Sequence, residues 1–305
     1  MRRMADFELD FVEWLRTRQK AHPRVALGIG DDMAVLVAAA GFSLLTSDML
    51  LDGVHFDAQR QPLDQIGRKA IACSLSDCAA MATRPVAATV SVALPRSMTL
   101  AQAQELYGGM LGIAEAFDLS IVGGDTTRWA QSLVIDVHML AEPWPDIDPV
   151  TRNGARAGDR LCVTGALGGS LLGRHLQFMP RVLEARRLGE ALGVDLHAMM
   201  DISDGLALDL WRMTQASGVG ALLDERLLRQ AVHDDARRAT KLDGRSVLDH
   251  VLTDGEDFEL LIASGAEVSL SDVMLIPIGE VIDSGLSMRQ RDGAVVSVEP
   301  RGFVH

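Results

Sequence analysis

An α+β fold in two domains is what this sequence predicts, and three observations predict it. The chain has 305 residues, about twice the ~150 of a usual domain. Apolar segments of strand and helix type alternate irregularly in both halves, with apparent hairpins, which favours α+β over a doubly wound parallel sheet. Glu142-Pro143-Trp144-Pro145 is rigid and turn-rich, so it marks a division into residues 1–145 and 146–305.

The elements follow in order. Phe7, Phe11, Trp14 and Leu15 recur at helical spacing, predicting an amphipathic helix over residues 5–20 that Pro23 closes. Gly28-Ile29-Gly30-Asp31-Asp32 then allows a tight turn. Met33–Val37 and Phe42–Ser47 read as two strands of a hairpin, the second delivering Thr46-Ser47-Asp48. Pro62 suits a helix start, and Leu63–Ala82 reads as a long helix of small residues containing Asp77. Val86–Leu94 alternates like a strand and residues 99–117 have helical spacing. Leu119–Val122 reads as a short buried strand running into Gly123-Gly124-Asp125-Thr126-Thr127, and Leu133–Ala141 as a further strand.

The second half restarts with a strand over Arg160–Val163 and helices over Gly168–Phe178 and Arg181–Leu192. Asp201-Ile202-Ser203-Asp204-Gly205 opens a helix whose apolar side is Leu206, Leu210 and Met213. Val219–Leu223 is a predicted strand and 225–240 a charged helical stretch. Phe258–Ala263, beginning at Gly255-Glu256-Asp257, and Val273–Ile278 complete the strands.

Composition narrows the function. Lys plus Arg total 29 against 42 for Asp plus Glu, a formal charge of −13, and only Lys20, Lys69 and Lys241 are lysines. Such a surface repels nucleic acid and anionic membrane, so neither is an expected partner. Cys73, Cys78 and Cys162 are odd in number and lack CxxC spacing, which argues against a disulfide framework or zinc knuckle. Acidic residues interrupt the first 13 positions, where a signal peptide would need an apolar core. No apolar run approaches the ~20 residues of a membrane span, so a soluble cytoplasmic protein is expected.

The familiar phosphate-binding motifs are absent. No lysine follows a glycine, so there is no Walker loop, and Gly28-Ile29-Gly30 lacks the rest of a dinucleotide fingerprint. No His-Arg-Asp kinase loop or Gly-x-Ser-x-Gly elbow occurs, and the histidines lack zinc spacing. What recurs is aspartate at turns beside Gly, Ser and Thr, the hard oxygen donors that Mg²⁺ prefers. Each such segment taken alone also reads as an acidic turn or a helix cap; Asp201 and Ser203 could simply cap the helix that follows. The series as a whole points to several Mg²⁺ ions carrying a polyphosphate, because metal charge and positioning do most of the work in phosphoryl transfer.

Gly28-Ile-Gly-Asp-Asp, Thr46-Ser-Asp, Gly53-Val-His-Phe, Ser74-Leu-Ser-Asp, Gly123-Gly-Asp-Thr-Thr, Asp201-Ile-Ser-Asp-Gly-Leu and Gly255-Glu-Asp-Phe-Glu-Leu stand in one order. Together they resemble thiamine-monophosphate kinase, of the aminoimidazole ribonucleotide synthetase-like superfamily, from about residue 5 to the end of the chain. The resemblance implies ATP-dependent phosphorylation of thiamine phosphate to thiamine diphosphate. It also implies a homodimer whose N-terminal domains pair their sheets into a β-barrel, with a C-terminal α/β domain completing the ATP and substrate site. Carried over by position, Asp32, Thr46, Ser47, Asp48, Asp77, Asp125, Asp201 and Asp204 are the implied Mg²⁺ ligands. Tyr107, Gly124, Asp125, Arg152 and Ser203 are the implied ATP contacts; His55, Glu256 and Phe303 are the implied substrate contacts. An aromatic such as Phe303 suits a cationic thiazolium.

No residue stands out as a covalent nucleophile, so transfer directly between bound substrates is expected. Three positions depart from the family: Gly169 replaces an acidic residue, Cys73 an asparagine and Phe258 a tyrosine. Two alternatives stay open: a sister synthetase that activates an amide or selenide with ATP, and a non-enzymatic nucleotide or thiamine-phosphate sensor.

Overall fold

In the computed structural model, residues 25–27, 31–38, 41–267 and 269–303 are described. The predicted helix over residues 5–20 and Gly28-Ile29-Gly30 lie outside them.

The chain builds two open sheets and, among the described residues, seven α-helices. The first sheet contains β1 (Val25–Leu27), β2 (Ala34–Ala38), β3 (Gly41–Leu51), β4 (Thr83–Pro95), β5 (Ser120–Trp129) and β6 (Val134–Pro143), in the order β1-β2-β3-β6-β4-β5. All its pairings are antiparallel except β4 with β5. That parallel pair needs a crossover, and α2 (Leu100–Ala116) supplies it, started by a Thr99–Gln102 capping box.

The predicted hairpin forms as β2 and β3, with Ala34 opposite Leu45 and Ala38 opposite Gly41. Beyond Leu45, β2 has ended at the bends of residues 31–33, and no described strand takes its place beside residues 46–51. β3 therefore keeps its β6 partner along 44–51, and among the described residues no strand pairs with its other edge at 46–50, while the turn at Val54-His55 hydrogen-bonds Leu51. β5 corrects the sequence reading: Gly123-Gly124-Asp125-Thr126-Thr127 continues the strand to Trp129 and does not turn. Its composition is that of a turn, but pairing with β4 holds it extended. The strand is also mostly exposed, not buried.

α1 (Leu63–Ala80) is the hinge of the architecture. It packs on α2 and on β3, β4 and β6, and its other side meets the second half of the chain. Alanines and Gly67 allow this close approach: a Cβ at Gly67 would lie 1.9 Å from the carbonyl oxygen of Leu106 on α2. The fit leaves nearly the whole helix buried.

The second sheet comprises β7 (Arg160–Val163), β8 (Leu196–Asp201), β9 (Gly220–Asp224), β10 (Leu260–Ser264), β11 (Ile276–Ile282), β12 (Leu286–Arg289) and β13 (Val295–Ser297), ordered β13-β12-β9-β11-β7-β10-β8. Around it lie α3 (Val182–Leu192), α4 (Leu206–Ser217), α5 (Glu225–Leu228), α6 (Asp234–Asp243) and α7 (Val247–Thr253). The predicted helix over Gly168–Phe178 resolves into two short 3₁₀ turns, Ser170–Leu172 and Arg174–Leu176. Gly168, Gly169 and Gly173 all have positive φ there, which no α-helix accommodates. Likewise the stretch 225–240 breaks at Val232-His233, and the predicted strand Val273–Ile278 is displaced to Ile276–Ile282. Neither sheet closes on itself, so the fold is mixed α/β with two open sheets.

One hydrophobic core runs across both halves. Leu44, Ile71, Leu75 and Met139 share it with Leu188, Met199, Phe258 and Leu260. Phe178 and Phe258 stack within it at 4.1 Å between ring centroids. A second core lies wholly in the later half, around Leu161, Leu206, Met213 and Leu261.

Candidate active site

Three carboxylates from three distant parts of the chain meet beside α1. Asp32, Asp77 and Asp201 each bring an oxygen within 4.8 Å of the others. Asp32 sits where the chain bends into β2, Asp77 on the last turn of α1, and Asp201 at the end of β8. Hydroxyls hold two of them: Thr46 Oγ1 donates to Asp77, and Ser76 Oγ donates to Asp201 at 2.6 Å. Next to this trio, Ser74 Oγ donates to Asp48 Oδ2 at 2.5 Å. Ser74, Ser76 and Asp77 thus turn the end of α1 into the floor of the site.

The electrostatics are severe. Burial pushes the Asp77 and Asp201 carboxyls well above the usual carboxylate range, and neighbouring carboxylates add to it. Asp48 is raised to about 6, chiefly by burial, with the Ser74 hydrogen bond working against the rise. Asp31 is also raised to about 6 by burial and by Asp32. Among the described residues Arg152 pairs with two of the site's aspartates, 2.6 Å from Asp32 and 3.5 Å from Asp31. Burial disfavours its guanidinium, yet Asp32 and Asp31 keep it charged.

This donor set fits a hard divalent cation. Asp32 Oδ2 is buried and has no hydrogen-bond partner, and the convergent atoms around it are carboxylate oxygens.

The other residues singled out in the sequence divide into three groups. Ser203, Asp204, His55, Glu256 and Phe303 line a cavity of about 480 Å³ that also touches Asp48 and that edge of β3. Leu51 N–H donates to His55 Nδ1 at 3.0 Å, and Phe303 N–H to the Asp204 carbonyl at 2.7 Å. The implied substrate contacts therefore share one cavity.

Tyr107, Gly124 and Asp125 gather in a second cavity of about 400 Å³, between α2 and β5. Asp125 is exposed and stands outside the carboxylate trio. Gly124 has φ +152°, and a Cβ there would lie 1.8 Å from the Val90 carbonyl oxygen, so only glycine lets β5 pass β4. The implied ATP contacts are thus split, with Arg152 beside the trio, Ser203 on the first cavity, and Tyr107, Gly124 and Asp125 in the second.

Two implied metal ligands have other side-chain partners. Ser47 points to the opposite face of β3 from Thr46 and Asp48, and its hydroxyl lies 3.4 Å from Asp136. Asp204 contacts Arg212 Nη1 at 2.5 Å, and that guanidinium also meets Asp209.

Sequence reasoning missed Asp209 and Lys69. Asp209 accepts the main-chain N–H groups of Asp204 and Gly205, fixing the turn that aims Asp204. Its position four residues after Gly205 was the available signal.

With this geometry in view, the comparisons are decisive. The family described as "AIR synthase related protein, N-terminal domain" matches residues 30–142. A thiamine-monophosphate kinase of Rhodopirellula baltica is 40% identical over 315 residues, covering 98% of this chain and 97% of the relative. This chain belongs to the thiamine-monophosphate kinase family. The Escherichia coli member is 32% identical over 313 residues, with 92% of each chain covered. Among solved structures, one described as "AaThiL complexed with AMPPCP and TMP" superposes with a TM-score of 0.84 at 27% identity. That match covers 100% of this chain and 99% of the other. The chain is thus a thiamine-phosphate kinase by family, and its fold is that of ThiL.

Proposed function

We propose that the protein transfers the γ-phosphoryl group of ATP to thiamine phosphate, giving thiamine diphosphate and ADP, by direct in-line displacement. The observation that carries this reading is the adjacency of the acid cluster and the acceptor cavity, which share Asp48. The relative bound to AMPPCP and TMP supports the choice of substrates.

An oxygen of the acceptor phosphate attacks the γ-phosphorus while the bond to the β–γ bridging oxygen breaks and ADP leaves. The acceptor oxygen is already anionic, so no general base is required. Asp32, Asp77, Asp201 and Asp48 would hold Mg²⁺, with Thr46, Ser47, Asp125 and Asp204 completing the set. Ser47 would serve through its main chain, given the direction of its side chain. Bound Mg²⁺ supplies charge neutralisation for the phosphates. Thr46, Ser74 and Ser76 orient the carboxylates, Arg152 and Ser203 face the nucleotide phosphates, and Tyr107 and Gly124 the rest of the nucleotide. His55, Glu256 and Phe303 receive the thiamine moiety.

We further propose a cytoplasmic homodimer in which residues 1–145 bind nucleotide and metal and pair their sheets into a barrel, and residues 146–305 complete the site. The uncovered side of the first sheet supports this, with Leu45, Met49 and Leu51 exposed on one face of β3. No described helix is long and apolar enough to cross a membrane.

The test is incubation with ATP, Mg²⁺ and thiamine phosphate, reading thiamine diphosphate by chromatography. Absence of product sinks the reading; a phosphorylated enzyme accumulating with ATP alone sinks direct transfer.

A further inference from the structure

Lys69 stands out among the charged side chains of the molecule. It lies on α1 between Arg68 and Ala70, in a helix where Ile66, Gly67, Ala70 and Ile71 are all buried. The lysine is itself 1% exposed. A buried ammonium is costly unless every proton finds an acceptor. Here the acceptors are specific: the Glu256 carboxylate at 2.6 and 2.8 Å, and the His55 carbonyl oxygen at 2.5 Å. One ammonium from the helix therefore grips two loops that line the acceptor cavity, one from each half of the chain. It is also the only Lys or Arg lining that cavity among the described residues.

The segment it grips is under tension. Glu256 has φ +61° and Phe258 φ +51°, the left-handed region that side chains other than Gly and Asn rarely occupy. Such strain persists only where surrounding contacts over-determine it, and it concentrates at ligand-holding positions. The contacts are visible: Glu256 N–H donates to Ser203 O at 2.6 Å, and Phe258 N–H to Ile202 O at 2.8 Å. A Cβ at Gly255 would meet the Ser203 oxygen at 2.8 Å and Phe303 Cβ at 3.1 Å, so the loop is pressed onto the cavity wall. Lys69 supplies the remaining anchor, through the side chain.

We propose that Lys69 is the positioning residue of the acceptor cavity: it sets the Glu256 carboxylate and the His55 loop for the thiamine moiety, and offsets the Glu256 charge as an anionic phosphate enters. This rests on the functional reading above. Lys69 has no hydrogen left for the substrate, since its three donors are spent on protein acceptors. Its effect is exerted through Glu256 and His55. It follows that acceptor recognition depends on Lys69 while nucleotide recognition does not.

The experiment compares wild type, Lys69→Met, Lys69→Arg, Glu256→Gln and Lys69→Met/Glu256→Gln in the full chain. KM for thiamine phosphate and for ATP is measured separately. The melting-temperature shift produced by thiamine phosphate, and by a nonhydrolysable ATP analogue, is measured without turnover. Expected are a rise of tenfold or more in acceptor KM for K69M with the ATP KM within twofold, loss of the thiamine-phosphate melting shift, and retention of the ATP-analogue shift. K69R should recover part of the acceptor affinity, because it keeps the charge. The double variant should lose less than the two single losses combined, because the pair acts as a unit.

Parallel rises in both KM values, or an unchanged acceptor KM, overturn the proposal. If K69M is too unstable to assay, K69R and Glu256→Gln decide by the same split between acceptor and nucleotide. Wild-type protein that neither binds nor phosphorylates thiamine phosphate overturns the functional reading itself. Wild type that does, with variants that follow it, overturns the Lys69 assignment alone.

Discussion

Two sets of buried acids lie within one molecule, one paired with arginines and the other held by hydroxyls. Behind the acceptor loop, Asp257 meets Arg174 at 2.7 Å and Glu259 meets Arg181 at 2.6 Å, each charge answered by an arginine. Beside α1, Asp77, Asp201 and Asp48 have hydroxyls for partners and no Lys or Arg among the described residues. Hydroxyl groups orient a carboxylate without cancelling its charge. The first set therefore belongs to the fold; on the proposed function, the second is arranged for positive charge that arrives with the substrates. Asp204 sits between the two classes, lining the acceptor cavity and pairing with Arg212.

Substitutions break the comparison open. Asp77→Asn or Asp201→Asn should lower kcat by at least roughly 10²–10³-fold, the scale of losing a charge-stabilising group. The melting temperature should hold or rise, since a buried, uncancelled carboxylate is removed. Near-normal turnover in both variants would remove the argument for a metal platform. Asp257→Asn should do the reverse, destabilising the protein by about 3 kcal/mol by breaking its buried pair with Arg174 while the folded fraction stays active. Calorimetry beside a steady-state assay separates these outcomes.

Asp204→Asn sharpens the boundary between the classes. Loss of turnover with an intact melting curve puts it on the platform; a melting loss with activity retained makes it Arg212's partner. The functional reading expects the former.

The smallest effect is in pH. Asp48 is raised to about 6, so its folded form holds a proton that the unfolded chain, near 3.8, has released. Stability without metal therefore falls as pH rises from about 4 through 6. Mg²⁺ needs the carboxylate, so its affinity should rise by up to about tenfold per pH unit below that point for each proton displaced. The Mg²⁺-induced melting shift should be larger at pH 7.5 than at 5.5, and equal shifts would remove Asp48 from the metal set.

Much of this was legible beforehand because the signals were local. Periodicity found the β2–β3 hairpin, α1, α2 and α3, and the Asp-rich turns named all members of the carboxylate trio. What was lost depended on contacts. β5 looked like a glycine turn because only its β4 partner keeps it extended. The 3₁₀ turns at 170–176 looked helical because apolar spacing does not register positive φ. β8 passed unmarked, although Asp201 is its last residue. Lys69 escaped notice since a lysine in a helix ordinarily faces water; the small and apolar residues around it were the overlooked sign.

The edge of β3 along residues 46–50, which no described strand covers, carries a final consequence. Unpaired strand edges elsewhere invite another strand to zip onto them. Here the chain turns away at residues 31–33, and the vacated lane beside the strand borders the acceptor cavity. On the proposed function, the acceptor cavity owes part of its opening to a strand that stops short. A change that let β2 run a few residues further would add main-chain hydrogen bonds along that lane, and a steady-state assay of such a variant should show lower turnover.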